Sequence, residues 1–393
     1  MTTTAVVPLP GSPLVKFQVP EVVFGLSSLA EAGFCAARLG ARRPFVVTDP
    51  GLIESGWVAE LVEHLRDAGL EPVIWHDVTP NPKDHEIGRG HERYRETGGD
   101  VIVGIGGGSC LDAAKAIAIL SGNGGEILDY AGVDQVTRPI PPLLMIPSTA
   151  GTGSDVSQFC IVTDTAHAVK VTIMGRAVVP DISLTDPRLL ATMPIELAAA
   201  TGLDALTHAV ESYVSLGHNP LADGHALSAA RLVGAALRTA VEQPGDTDAQ
   251  LLMAQASLEA GLAFSNAILG ATHAMSHQVG GLLDLPHGVI NGVLLPHVIR
   301  FNAEVVPERF ATIAAAMGLD VRELPCDVAA EVFAEYVGEL AESVGAPRRL
   351  GELGVRSADI ERLAATATAD ACLATNPRAA SESDIATIFA AAL

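Results

Sequence analysis

The chain has 393 residues, 49% of them hydrophobic and 18% charged, with 24 Lys+Arg against 46 Asp+Glu for a formal net charge of −22. That length allows about two to three domains with sizeable cores, and so acidic a surface argues against nucleic acid and anionic membranes as partners. No apolar run reaches the roughly eighteen residues of a membrane-spanning helix, and Cys35, Cys110, Cys160, Cys326 and Cys372 are scattered and never in a CxxC pair. These read as reduced thiols, and with no basic, apolar leader at the N-terminus the expected location is cytoplasmic.

Residues 1–14 read as an irregular arm, and Val15–Gly25 as a short strand or hairpin at a sheet edge, because Pro20 is excluded from a central strand. Leu26–Leu39 has helical period. Phe45–Asp49 is a short buried strand that Pro50-Gly51 breaks. A helix over 57–68, a strand over Pro72–Val78, a loop at Thr79–Pro82 and a polar-faced helix over 84–97 follow. Asp100–Ile105 is the next strand, feeding Gly106-Gly-Gly-Ser109 and a helix over Leu111–Leu120, and Pro142–Pro147 is another, closed by Ser148–Asp155. Strands alternating with helices predict a parallel α/β sheet. Short β-like pieces occupy 159–185, and from about Pro194 the pattern is helical and rich in alanine, which places the domain boundary near 187–194.

Three features carry chemistry. Gly104-Ile-Gly-Gly-Gly-Ser109 lies between a strand and a helix, where backbone N–H groups and a helix N-terminus hold a diphosphate. Ser109 stands where a dinucleotide fingerprint has its third glycine, so a plain tight turn is the alternative. Ser148–Thr152 is a second small-residue turn whose hydroxyls line a cofactor or merely a loop, and Asp49 either bonds a ribose 2′-hydroxyl or is a helix or turn cap before Pro50. The third feature is His273-Ala-Met-Ser-His277, two imidazoles on one helical face, followed by Pro286-His287-Gly288. Upstream, Asp204 and His208 repeat the spacing with a carboxylate first. A lone histidine is usually a core or surface residue, but two such pairs in apolar surroundings point to a divalent first-row metal site.

Four blocks give the chain a resemblance to the iron-containing (group III) alcohol dehydrogenases: Gly106–Lys115, Pro147–Ser154, Gly202–Glu211 and His273–Gly288. The resemblance runs from about residue 15 to Leu393 and extends to Asn376-Pro-Arg378. It implies a Rossmann-like α/β dinucleotide-binding domain over 1–190, an all-α domain over 191–393 as in the dehydroquinate synthase-like fold, and an active site in the cleft between them. By the same resemblance the metal ligands are Asp204, His208, His273 and His287, and His277 stands by the nicotinamide to move the alcohol proton. The NAD contacts are Asp49, Asn81, Gly107, Gly108, Ser109, Asp112, Ser148, Thr149, Thr152 and Lys170, with Lys170 at the nicotinamide ribose.

Phe159 lies where some relatives, such as lactaldehyde reductase, carry asparagine. With Phe264 it makes a pocket for a simple or apolar alcohol. The expected reaction is reversible hydride transfer between a primary alcohol and NAD+, at a metal that is Fe2+ ahead of Zn2+, Ni2+ or Mn2+, in a homo-oligomer. The alternatives are a glycerol dehydrogenase or dehydroquinate synthase-like enzyme, a hydroxyacid–oxoacid transhydrogenase, and a regulatory protein that binds metal and nucleotide without catalysis.

Overall fold

The computed structural model describes residues 15–393 apart from Ala168, so the arm expected over residues 1–14 lies outside the described residues. The first half runs β1 (Glu21–Phe24), α1 (Ala32–Arg38), β2 (Phe45–Val47), α2 (Pro50–Glu54), α3 (Trp57–Asp67), β3 (Val73–Trp75) and α4 (Asp84–Thr97). It continues through β4 (Ile102–Gly106), α5 (Gly108–Asn123), β5 (Gly132–Val133), β6 (Leu143–Pro147), β7 (Phe159–Asp164), β8 (Val169–Met174) and β9 (Ile182–Thr185). Six strands form one sheet in the order β1-β9-β6-β4-β2-β3, every pair parallel.

A sheet covered on both faces needs apolar residues in both directions, and the central strands supply them. In β2, Val46 faces the core that contains Leu61 and Leu65 of α3, while Phe45 and Val47 face the one that contains Ile87 of α4 and Leu111 of α5. The helix after β2 therefore packs on one face and the helix after β4 on the other. That makes the C-terminal ends of β2 and β4 the switch point at which open α/β sheets bind ligands.

The chain departs from its sequence pattern in instructive places. β2 ends before the Pro50-Gly51 pair as expected, and the pair also opens α2, with Asp49 as N-cap accepting from Leu52 N at 3.0 Å. Proline at the first helical position loses no hydrogen bond. Leu26–Leu39 splits into a 3₁₀ turn, Ser28–Glu31, followed by α1. Helix α5 begins at Gly108 rather than Leu111, so the glycines are themselves the helix start. β1 is an edge strand, as Pro20 requires. The pieces over 159–185 divide: β7 and β8 form an antiparallel hairpin that β5 extends to a separate three-stranded sheet, and β9 returns to the main sheet.

Beyond β9 the described residues form helices and 3₁₀ turns: α6 (Ile195–Val214), α7 (Pro220–Glu242), α8 (Thr247–Ala267), α9 (Ala271–Leu283), α10 (His287–Ala303), α11 (Pro307–Ala316), α12 (Cys326–Ser343), α13 (Ile360–Thr368) and α14 (Glu382–Ala392). Alanines at 205, 209, 226, 229, 230, 256 and 260 sit in one core shared by α6, α7 and α8. Small side chains let these helices approach closely, which explains the high hydrophobic content without a membrane segment. No helix among the described residues is long and apolar enough to cross a membrane.

Candidate active site

One cavity of about 830 Å³ lies between the C-terminal ends of the sheet strands and the helical half. Every predicted cofactor, metal, proton-transfer and pocket residue lines it.

On the sheet side, the turns after β4 and β6 interlock. A side chain at Gly108 would place its Cβ 2.9 Å from Thr152, so glycine is what lets the second turn close on the first. The hydroxyl of Ser109 accepts from the Asn81 N–H at 3.1 Å and so ties the 79–82 loop to the start of α5. Ser154 Oγ donates to Asp112 Oδ1 at 2.6 Å. Burial lifts the Asp112 carboxyl to about 6, against the pull of Lys115. Asp112 thus anchors the second turn from within the wall. Asp49 both caps α2 and accepts from Cys110 Sγ at 3.1 Å, and it faces the cavity from the end of β2. The Thr149 hydroxyl is buried without a partner. An orphan hydroxyl beside the N-terminus of the sixteen-residue α5 fits a diphosphate-bearing cofactor.

On the helical side, α6 and α9 bring Asp204, His208 and His273 together, with one ligand atom from each within 4.8 Å of the others. Each imidazole is aimed by its far nitrogen. His208 Nδ1 donates to Gly151 O at 3.0 Å, and His273 Nδ1 to Glu211 Oε2 at 2.6 Å. This turns both Nε2 atoms toward Asp204 Oδ1, at 3.8 and 3.4 Å. Ligands on a common ion about 2.1 Å away stand about 3–4 Å apart. Glu211 is in turn fixed by the Gly270 and Thr272 N–H groups at 3.0 and 2.5 Å, and Asn291 Nδ2 donates to Asp204 Oδ1 at 2.8 Å.

Charge follows from these contacts. Burial disfavours ionised Asp204, but His208 and His273 hold its carboxyl down at about 2. Burial lowers His208 to about 4, so it is a neutral imidazole. His273 would be lowered by burial, yet its bonds to Asp204 and Glu211 raise it to about 9. Two buried carboxylates converging on one imidazole make a place for a cation.

His287 does not join the Asp204–His208–His273 triangle. It stands on the cavity wall with Nε2 3.2 Å from Lys170 Nζ and with Nδ1 buried and unpartnered. Burial, then Lys170, push it well below its ordinary value, and burial lowers Lys170 to about 8. A neutral imidazole on the wall of the same cavity is of the type that binds a divalent cation. His277 lies outside the triangle but next to it, its Nδ1 2.9 Å from Asp370 Oδ2.

Glu211, Asn291 and Asp370 hold positions in this site that no motif in the sequence assigns to them. Glu211 had a signal, since an acid three residues after His208 shares its helical face. The other two meet the site only through tertiary packing.

The two halves of the chain can be compared separately with known families. Residues 20–187 match a family model described as "Iron-containing alcohol dehydrogenase", and residues 198–393 match "Fe-containing alcohol dehydrogenase family, C-terminal". The chain belongs to the iron-containing alcohol dehydrogenase family. It is 43% identical over 379 residues to the 1,3-propanediol dehydrogenase of Citrobacter freundii, covering 96% of this chain and 98% of that one. To the NAD-dependent methanol dehydrogenase of Bacillus methanolicus it is 39% identical over 377 residues, covering 96% and 99%. The crystal structure of a 1,3-propanediol oxidoreductase superposes with a TM-score of 0.95 at 42% identity, covering 97% of this chain and all of the other.

Within this alcohol dehydrogenase family member, an apolar wall flanks the cluster. The Phe264 ring stacks on His208 at 4.3 Å between centroids, and Phe159 lies 5.6 Å from Phe264. Leu269 and Cys372 complete the patch.

Proposed function

We propose that this oxidoreductase transfers hydride reversibly between a primary alcohol and NAD+, at a divalent metal held by Asp204, His208, His273 and His287, with Fe2+ ahead of Zn2+, Ni2+ or Mn2+. We also propose two domains, 1–190 and 191–393, that meet across the cavity. One observation carries the reading: the switch-point turns and the buried carboxylate–imidazole cluster face each other in a single cavity.

When bound, the metal would supply Lewis-acid polarisation of the substrate oxygen, and the nicotinamide would supply the hydride acceptor. The chain's own residues do the rest. Gly107, Gly108, Ser109, Ser148, Thr149 and Thr152 bind and orient the dinucleotide, and Lys170 reaches its nicotinamide end. Asp49 favours a ribose 2′-hydroxyl over a 2′-phosphate by repulsion, which selects NAD over NADP. Glu211 and the Gly151 carbonyl hold the ligand imidazoles in register. His277 takes the alcohol proton at Nε2, the nitrogen that Asp370 leaves free.

The Phe159–Phe264 wall favours a simple or apolar alcohol, since a phenyl ring offers no hydrogen bond to a second hydroxyl. A short α,ω-diol is the second reading, supported by the 1,3-propanediol dehydrogenase at 43% identity. The rate of NADH formation across ethanol, 1-butanol, 1,2-propanediol and 1,3-propanediol, with NAD+ and then NADP+, tests both. The apolar reading predicts the highest kcat/KM for 1-butanol with NAD+, and a clear preference for 1,3-propanediol would replace it with the diol. No turnover of any alcohol by protein that keeps NAD through desalting would move the assignment to a transhydrogenase.

A further inference from the structure

We propose that Asp370 is a positioning residue that holds His277 as the Nδ1–H tautomer and so presents Nε2 to the alcohol. The proposal deepens the alcohol dehydrogenase reading above and rests on it for the role of His277.

His277 sits on α9, and Asp370 lies 93 residues away, just after α13. The carboxylate is fixed on both oxygens. Oδ1 accepts from Cys372 N at 2.9 Å and caps the 3₁₀ turn Ala371–Thr375. Oδ2 accepts from His277 Nδ1 at 2.9 Å and from Gln278 Nε2 at 3.3 Å. An ionised carboxylate only accepts hydrogen bonds, so the nitrogen facing it must carry the proton. That leaves Nε2, on the far edge of the ring, as the nitrogen with a free lone pair. Both His277 and Cys372 line the cavity, and the His277 ring meets His287 and His273 edge-on at 5.2 and 6.0 Å between centroids.

The surroundings keep Asp370 anionic. Burial alone would raise its carboxyl, but the His277 and Cys372 bonds hold it below the usual range. The Cys372 thiol belongs to the same cluster, with a ligand atom from each of His277, Asp370 and Cys372 within 4.8 Å. Burial, then Asp370, push that thiol well above its ordinary value, so it stays protonated. Asp370 is then the anion that faces His277 in this cluster.

In the forward direction the hydroxyl proton passes to Nε2, and the resulting imidazolium keeps its Nδ1–H on Asp370 until the Nε2 proton leaves to solvent. The cap alone does not require an acid, because asparagine caps a turn as well as aspartate. The His277 tautomer does require one. An amide nitrogen turned toward Nδ1 would donate to it and move the proton to Nε2, which disables the base while preserving the fold.

The test compares Asp370→Asn and Asp370→Glu with wild type, each loaded with Fe2+ and assayed with NAD+ and its best alcohol. The expected result for Asp370→Asn is a fall in kcat of about 10²-fold or more, with alcohol KM, NAD affinity and metal content close to wild type, and partial recovery in Asp370→Glu. Unchanged kcat would overturn the proposal. So would a loss of metal or NAD binding in step with kcat, which marks a purely structural tie. If Asp370→Asn does not fold, ¹⁵N NMR of the wild-type His277 ring, assigned by difference with His277→Gln, decides: protonated Nδ1 supports the proposal and protonated Nε2 overturns it. Wild-type protein that oxidises no alcohol would sink the dehydrogenase reading, and the ring tautomer would still judge the role of Asp370.

Discussion

Glu211 and His273 show how one contact sets the chemistry of a site. The 2.6 Å bond at Nδ1 decides which nitrogen of His273 faces Asp204, and Glu211 is itself fully buried and fixed by two backbone N–H groups. Replacing such a partner typically costs about 10–100-fold in metal affinity. Glu211→Gln should therefore hold its metal that much more weakly in competition with a chelator while keeping its helical content, and an unchanged affinity would contradict this role. Asp49 has two duties that separate by substitution. Asp49→Ser keeps a capping oxygen for Leu52 N and removes the charge, so its ratio of kcat/KM for NADP+ over NAD+ should rise with little change in Tm. The residue types at the site were legible where spacing along one helix reveals a shared face, as for His273 with His277 and Asp204 with His208. The partners of these residues were not. Glu211 and Asp370 meet their histidines across 62 and 93 residues, and no local pattern encodes such a distance.

At the scale of elements, close approach of backbones fixes where the proposed metal ligands stand. A Cβ on Gly288 would lie 1.7 Å from the Ala200 carbonyl oxygen, so the start of α10, which carries His287, rests directly on α6, which carries Asp204 and His208. Gly288→Ala must push these helices apart. Overpacking of this kind costs about 1–3 kcal/mol, and the variant should lose that much stability in denaturant unfolding and bind metal more weakly. Full stability would show that α6 and α10 have slack. The order of strands and helices was legible from alternating apolar runs, because a two-faced parallel sheet leaves an unmistakable hydrophobic pattern. The element ends were less so. Pro50-Gly51 reads as the end of a strand, and it is, but that the same pair starts a helix depends on the cap that Asp49 supplies. The β7–β8 hairpin could not be told from further sheet strands, since pairing partners are a tertiary choice, although it places Lys170 beside His287.

For the molecule as a whole, stability and metal content should be linked through pH. In the metal-free chain His273 is raised from 6.5 to about 9 because it bridges Asp204 and Glu211 despite its burial. A raised folded pKa contributes stability that is complete below the unfolded value and is lost as pH rises through the folded one. The stripped protein should therefore lose stability between about pH 6.5 and 9. The loaded protein, whose His273 is a neutral ligand, should not, so the Tm gained on adding metal widens across that window. A constant gain would contradict the ion pairing of His273. The net charge of −22 bears on solubility and leaves this site-level behaviour untouched. The central claim is that one cavity couples a dinucleotide cradle to a metal cluster. Its most direct test is NADH formation from a simple primary alcohol by protein stripped of metal and then resupplied with Fe2+, alongside His273→Ala. The account predicts no turnover when stripped, recovery on adding Fe2+, and no recovery in the variant. Undiminished turnover by the stripped wild-type protein would contradict it.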